Sequence, residues 1–122
     1  MRFTIDIETA LCEELTRAGL SASAHMIPAT LGKNMPHVHI VRTGGYESGM
    51  VVETNQVDFD VYDADAADAM ESATNLCAKV RDLEGGLCYR ALITTLPYPN
   101  PDPRHPTLAR ATFKAQLITR TL

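Results

Sequence analysis

Two histidines have the residue type and spacing that could hold a metal ion. His37 and His39 lie two residues apart in an alternating segment, so both imidazoles project from one face of a strand. Two such rings can bind one zinc or copper ion if His25 or a carboxylate supplies further ligands. The alternative is the solvated face of an ordinary strand. We predict no bound metal and no cofactor.

Two aspartates, Asp58 and Asp60, have the same spacing as the histidine pair. Paired carboxylates can act as general acid and general base when burial separates their pKa values. They also lie in an acidic stretch, whose simplest interpretation is a solvated or interface surface. We therefore predict that this pair has no catalytic role.

Cysteine and glycine motifs give no stronger indication of catalysis. Cys12, Cys77 and Cys88 occur at no metal-ligand spacing and match no local nucleophile motif, which predicts reduced and mostly buried thiols. Gly44-Gly45 is followed by neither a Walker lysine nor a helix, so it is not a phosphate loop. The sequence thus predicts a protein that is not an enzyme.

Composition limits the class of protein further. The chain has 122 residues, of which 45% are hydrophobic and 21% charged. These values are typical of one soluble globular domain and exclude collagen, coiled coils and wholesale disorder. No apolar run reaches the ~18 residues of a membrane span, and residues 1–10 lack the apolar stretch of a secretory signal. We expect one domain over residues 1–122, no membrane association and no export.

Charge is distributed unevenly along the chain, whose net charge is −4. Residues 47–84 contain ten acidic side chains against two basic ones, and residues 85–122 contain five basic side chains against one acidic one. The two segments can pair within one subunit, or they can form unlike faces that attract each other between copies, as a head-to-tail ring requires. No dense basic stripe with interleaved aromatic residues indicates a nucleic-acid reader.

Two amphipathic helices are predicted from apolar residues spaced three and four apart. The first covers residues 6–18, with Gly19 in the left-handed position beyond its end. The second begins at a cap formed by Asp63 or Asp65 and runs to about Leu83.

Alternating apolar residues predict the strands. They cover residues 21–27, 37–42, 56–62, 87–96 and 107–121. Thr43, Gly44 and Gly45 are predicted to end the second of these, with a hairpin of unclear register over residues 46–55. The order of elements predicts an α+β fold, in which a mostly antiparallel β-sheet has both α-helices packed on one face.

Five of the seven prolines lie between the last two predicted strands. They are Pro97, Pro99, Pro101, Pro103 and Pro106. Such a segment has few N–H donors and favours polyproline II, which predicts a stiff arm that stands off from the body. The alternative is an ordinary ordered loop that packs on its own sheet.

Several of these patterns follow one another in a recognisable order. After the N-terminal helix come Pro36-His37-Val38-His39-Ile40, Val57-Asp58-Phe59-Asp60-Val61-Tyr62, the helix end Val80-Arg81-Asp82-Leu83 and the proline arm Pro97-Tyr98-Pro99-Asn100-Pro101-Asp102-Pro103. In this order they resemble the tail terminator (tail completion) proteins of long-tailed, siphovirus-like bacteriophages. The resemblance covers residues 36–120 well and the first 35 residues loosely.

The resemblance implies a homo-oligomeric ring, expected to be a hexamer, that caps the tail tube at full length. Such a ring stops polymerisation of the major tail tube protein and forms the surface that joins the tail to the head-completion or connector protein. It lies at the head-proximal end of the virion tail after assembly in the host cytoplasm. DNA passes through its lumen without specific binding, and the family has no catalytic site. The alternatives are another neck protein, such as a head-completion or stopper ring protein, and a small histidine-based metal-binding domain.

Site residues for this ring come from the arm, the last strand and the acidic stretch. We predict a subunit interface formed by Tyr98, Arg104, His105, Arg110 and Lys114. We assign Asp58 and Asp60 to the lumen, where their charge would repel DNA phosphates and let DNA slide.

Overall fold

The computed structural model describes residues 6–29, 31–33, 35–48 and 52–120. Over these ranges two helices and five strands form an α+β fold. In chain order the elements are α1 (Ile7–Arg17), β1 (Ser21–Ala24), β2 (His37–Ser48), β3 (Val52–Asp63), α2 (Ala66–Arg81), β4 (Arg90–Pro99) and β5 (Ala109–Arg120). The predicted fold class is confirmed.

The strands form one sheet in the order β1-β2-β3-β5-β4. The short β1 pairs with β2 in parallel, and the other three pairings are antiparallel. The last strand, β5, lies between β3 and β4, so the sheet is mostly antiparallel as predicted. This order makes β1 and β4 the two edges.

Both helices begin at aspartate caps, because a side-chain carboxylate satisfies a backbone N–H that has no partner within the helix. Asp6 accepts from the backbone N–H of Thr9, and Asp65 accepts from that of Asp68. Beyond α1, Gly19 adopts the predicted left-handed conformation with φ of 89°. The second helix ends at Arg81, two residues earlier than predicted.

The core lies between the sheet and the two helices, which pack on the same face. Phe59 of β3 and Phe113 of β5 stack at its centre, with ring centroids 4.8 Å apart and planes 7° apart. Helix α2 contributes small buried residues, including Ala69 and Ala73, which let it approach the sheet closely. Every second residue of β3 from Val57 to Val61, and of β5 from Ala111 to Leu117, is buried in this core, as the alternation of apolar residues in the sequence predicts.

The glycines of β2 do not end the strand as predicted. A β-bulge lies between Arg42, which pairs with Val57, and Gly44, which pairs with Gln56. Thr43 is the extra residue of the bulge and has no paired residue on β3, and β2 continues beyond it to Ser48. The turn of the predicted hairpin, at residues 49–51, lies outside the described residues.

Three other predicted segments are corrected. Strand β1 ends at Ala24, because His25 adopts a left-handed backbone conformation. Strand β4 extends through Pro97 to Pro99, since an edge strand tolerates missing N–H groups on its outer side. The rest of the proline segment folds back on the sheet rather than standing off: Asn100 donates its N–H to the Arg110 carbonyl, and Asp102 is buried.

Candidate functional site

The sheet face opposite the helices carries polar side chains from four strands. Paired residues in neighbouring strands share this face. They are Ser21, Ser23, His37, His39, Asp58, Asp60, Tyr62, Arg110, Thr112 and Lys114. Two segments approach each other over one end of this face: a first loop, residues 25–29 and 31, and a second loop, residues 100–108.

A chain of hydrogen bonds joins β1 to β2 on this face. The Ser21 hydroxyl lies 2.7 Å from His37 Nδ1, and the Ser23 hydroxyl lies 2.8 Å from both His37 Nε2 and His39 Nδ1. Both imidazoles are buried, with 4% and 7% of their surface exposed, so the solvated-face interpretation is wrong. Burial lowers the pKa of His37 and of His39 below the ordinary value, which keeps both rings neutral at neutral pH.

The metal site considered from the sequence does not assemble. His37 has both ring nitrogens engaged by serine hydroxyls, and His25 instead faces Glu8 at 3.6 Å. Within the described ranges, no group of three histidine, cysteine or acidic side chains is placed to hold a metal ion. The trio of His25, His37 and His39 therefore has no support from the geometry.

Asp102 holds the second loop on the sheet and is the residue that sequence reasoning missed. Its carboxylate accepts from the Tyr62 hydroxyl at 2.8 Å and from the Arg104 backbone N–H at 3.0 Å. His105 Nδ1 lies 3.0 Å away, and Arg110 Nη1 lies 3.6 Å away. Burial acts to raise the pKa of Asp102, but these hydrogen bonds outweigh it and hold that pKa well below its ordinary value. The bond from Asp102 to the N–H two residues on is an Asx turn, the one local signal that could have identified it.

The two aspartates assigned to a lumen each have a partner on β5. Lys114 Nζ lies 3.7 Å from an Asp58 oxygen, and the Thr112 hydroxyl donates to Asp60 at 2.7 Å. Burial raises the pKa of Asp58, and Lys114 opposes that shift. The acidic and basic segments thus meet within one subunit at the pair of Asp58 and Lys114. The lumen assignment stays a prediction.

The five residues predicted at a subunit interface are not equally accessible. Arg110 is half-buried and donates to the Tyr62 hydroxyl, and Lys114 faces Asp58. His105 is partly buried beside Asp102, whereas Tyr98 and Arg104 are exposed. A part in contacts between copies stays a prediction for all five.

An open cleft of about 500 Å³ lies where the two loops approach the sheet. We call it the histidine cleft, because His25, His39 and His105 line it together with Arg104. The rest of its wall is mostly apolar and consists of Met26, Ile27, Pro28, Ala29 and Leu31. Residues from both ends of the chain thus converge on one surface site.

The three cysteines are free thiols, as predicted, and the surroundings of two of them make those two poor nucleophiles. Cys77 and Cys88 are buried in the core. Burial raises the pKa of Cys77, and it raises the pKa of Cys88 to about 11. Since the thiolate is the reactive form, neither side chain is activated for covalent catalysis.

Comparison with models of protein families and with curated proteins finds no match to this chain. Neither described helix has the length and apolar character needed to cross a bilayer.

Proposed function

We propose that this protein is a tail terminator of a long-tailed phage, a structural protein that works by forming a ring from copies of itself. The proposal is supported by the order of sequence motifs and by the α+β fold that this order led us to expect. The single observation that carries self-association is the exposed apolar edge of the sheet at β4.

Among the described strands, β4 pairs with β5 alone, so its other side has no neighbour in that part of the chain. Six large hydrophobic side chains are exposed among the described residues, and four of them lie within residues 89–98. These are Tyr89, Leu92, Leu96 and Tyr98, of which Leu96 is 68% exposed. Apolar side chains clustered along an edge strand are typical of an association surface. Pro97 and Pro99 restrict further backbone pairing to the first part of the strand, so its second part must bind through side chains.

The two edges of the sheet are unlike, which favours a ring. Strand β4 has ten residues and an apolar edge, whereas β1 has four residues, two of them serines. A contact between unlike surfaces of identical chains is heterologous, and it closes into a ring when the rotation between neighbours permits. A contact of β4 with β4 would give a two-fold dimer instead.

The proposal is tested by a charge placed on the edge. Leu96→Arg is expected to abolish rings that the wild-type protein forms, because an arginine would be desolvated at the apolar contact. Light scattering and electron microscopy of the purified chain measure the effect. Tyr46→Arg is the matched control: it also replaces an exposed hydrophobic residue, but on β2, which β3 and β5 separate from β4.

Function at the tube is tested with polymerising tail tube protein. A terminator binds tube ends and stops their growth, and Leu96→Arg is expected to lose the capping while Tyr46→Arg keeps it. Binding only to the portal side would identify a stopper protein and contradict the proposal. A two-fold dimer, or a monomer that is indifferent to tubes, would contradict it as well.

A further inference from the structure

Three of the four histidines in the chain line the histidine cleft. They come from distant segments, since His25 follows β1, His39 lies in β2 and His105 lies in the second loop. We propose that this cleft binds an oxyanion, a phosphate or carboxylate group, through the Nε2 atoms of the three histidines and the guanidinium of Arg104. The inference does not depend on ring formation.

Nδ1 of each of the three imidazoles faces a partner, through a hydrogen bond at His39 and His105 and through a longer contact at His25. Nδ1 of His25 lies 3.6 Å from a Glu8 oxygen, that of His39 lies 2.8 Å from the Ser23 hydroxyl, and that of His105 lies 3.0 Å from Asp102. In the described part of the chain, Nε2 of each ring has no hydrogen-bond partner. A bond at one ring nitrogen fixes the orientation of the ring and leaves the other nitrogen for a ligand.

Nε2 of His39 remains accessible although the residue is mostly buried. No enclosed side-chain nitrogen or oxygen lacks a partner in the ranges that the structure describes. Because Nε2 of His39 has no partner among the described residues, it is not enclosed, and His39 is one of the residues that line the cleft. His37 differs, since its two ring nitrogens are both engaged by serine hydroxyls and it does not line the cleft.

The backbone at His25 gives independent support. His25 has φ of 67°, and it is the one non-glycine residue with positive φ in the described ranges. Residues other than glycine rarely adopt this backbone conformation, and it persists where the surrounding structure imposes it. Such strained positions cluster at ligand-binding and active sites.

The arrangement of the donors favours an oxyanion over a metal ion. The described histidines, cysteines and acids do not converge in any group of three that could hold a metal. Imidazole N–H groups and a guanidinium are hydrogen-bond donors that suit phosphate or carboxylate oxygens. The apolar residues of the first loop would lie against the remainder of the ligand.

The protons needed for such binding can be assigned. At His25 and His105 the carboxylates face Nδ1, and Nε2 is a hydrogen-bond donor beside them in the imidazolium form, in which both ring nitrogens carry protons. At His39 the imidazolium form is not needed. If Ser23 donates its O–H to Nδ1, the proton of the ring is on Nε2; His37 Nε2 then donates to Ser23, and Ser21 donates to His37 Nδ1.

Imidazole nitrogen NMR of the full chain tests the proposal, with sodium sulfate as a tetrahedral probe whose charge is constant from pH 5 to 8. Sulfate is expected to shift Nε2 of His25, His39 and His105, with His25 and His105 moving towards the protonated position, and to leave His37 unchanged. Parallel titrations with phosphate and succinate show whether a phosphate or a carboxylate is preferred.

Matched variants separate a site from general charge attraction. Arg104→Ala is expected to weaken sulfate binding about ten-fold, because it removes a charge-assisted donor. Arg81→Ala makes the same change of net charge at an exposed position on α2 and is expected to leave the affinity unaltered. The proposal is overturned if none of the three anions shifts the cleft histidines, if His37 shifts equally, if both variants weaken binding alike, or if the protein instead binds stoichiometric zinc through these rings.

Discussion

At the scale of single residues, Asp102 is the clearest case of one side chain determining the path of a segment. The second loop contains three prolines and so offers few backbone N–H groups with which to bind itself to the sheet. The Asp102 carboxylate binds the loop to the sheet instead, by accepting hydrogen bonds from the Tyr62 hydroxyl, from the Arg104 backbone N–H and from His105. It therefore also positions two residues of the histidine cleft.

Asp102→Asn is expected to reduce the free energy of unfolding at pH 7 by about 2 kcal/mol, since hydrogen bonds to a buried charged group are worth more than neutral ones. Because the pKa of Asp102 is held below its ordinary value in the folded state, this contribution is present above the ordinary pKa of about 3.9 and is lost as pH falls through the folded pKa. Urea denaturation at a series of pH values measures both effects.

The control for Asp102→Asn is Asp82→Asn, which makes the same chemical change at an exposed position after α2. It is expected to cause no loss of stability, since removing a negative charge from a helix C-terminus is favourable. If Asp102→Asn were as stable as the wild-type protein at pH 7, the loop would have to be held by other contacts.

At the scale of elements, Gly44 and Gly45 lie within the continuous strand β2, directly after its bulge. Gly45 has positive φ, and a Cβ there would overlap the carbonyl oxygen of Thr54 on β3. At Gly44 an added Cβ would meet nothing within 4 Å. Close approach of two backbones, not local flexibility, is therefore the reason for glycine at position 45.

Gly45→Ala is expected to lower the free energy of unfolding by about 3 kcal/mol, because backbone atoms cannot move aside as a flexible side chain can. Gly44→Ala is the matched variant in the same bulge and is expected to cost clearly less. Denaturant titration of the two variants gives the difference. Equal losses would mean that backbone conformation, and not the overlap with Thr54, determines the requirement for glycine.

At the scale of the whole molecule, two of the charges predicted at a seam between subunits, Arg110 and Lys114, have partners in their own chain. Lys114 faces Asp58, and Arg110 lies beside Asp102 and Tyr62. What β4 exposes is largely apolar. Under the proposed function, the contact between copies is therefore an apolar one.

The mass of the ring, measured by light scattering, is expected to stay constant as salt is raised from about 0.05 to 0.5 M, because an apolar contact is not weakened by screening. The same protein with Leu96→Arg provides the dissociated reference. Dissociation of the wild-type ring with rising salt would show instead that paired charges hold the subunits together.

The sequence was sufficient for the features that depend on neighbours along the chain. The aspartate-capped helices follow from a local period of 3.6 residues, and the inward faces of β3 and β5 follow from strict alternation. The placement of His37 and His39 on one strand face was predicted for the same reason. The α+β class follows from the order of these elements.

The tertiary structure alone decided what distant residues do to each other. The burial of His37 and His39 depends on β1 and on the loops that cover the sheet. The proline segment, which was predicted to stand off, is bound to the sheet by the hydrogen bond from Tyr62 to Asp102, two residues that are forty positions apart. The histidine cleft unites positions 25, 39 and 105. A local sequence pattern indicates which face of a helix or strand a residue occupies. The residue that it contacts on that face depends on how the elements pack together, and a short stretch of sequence does not contain this information.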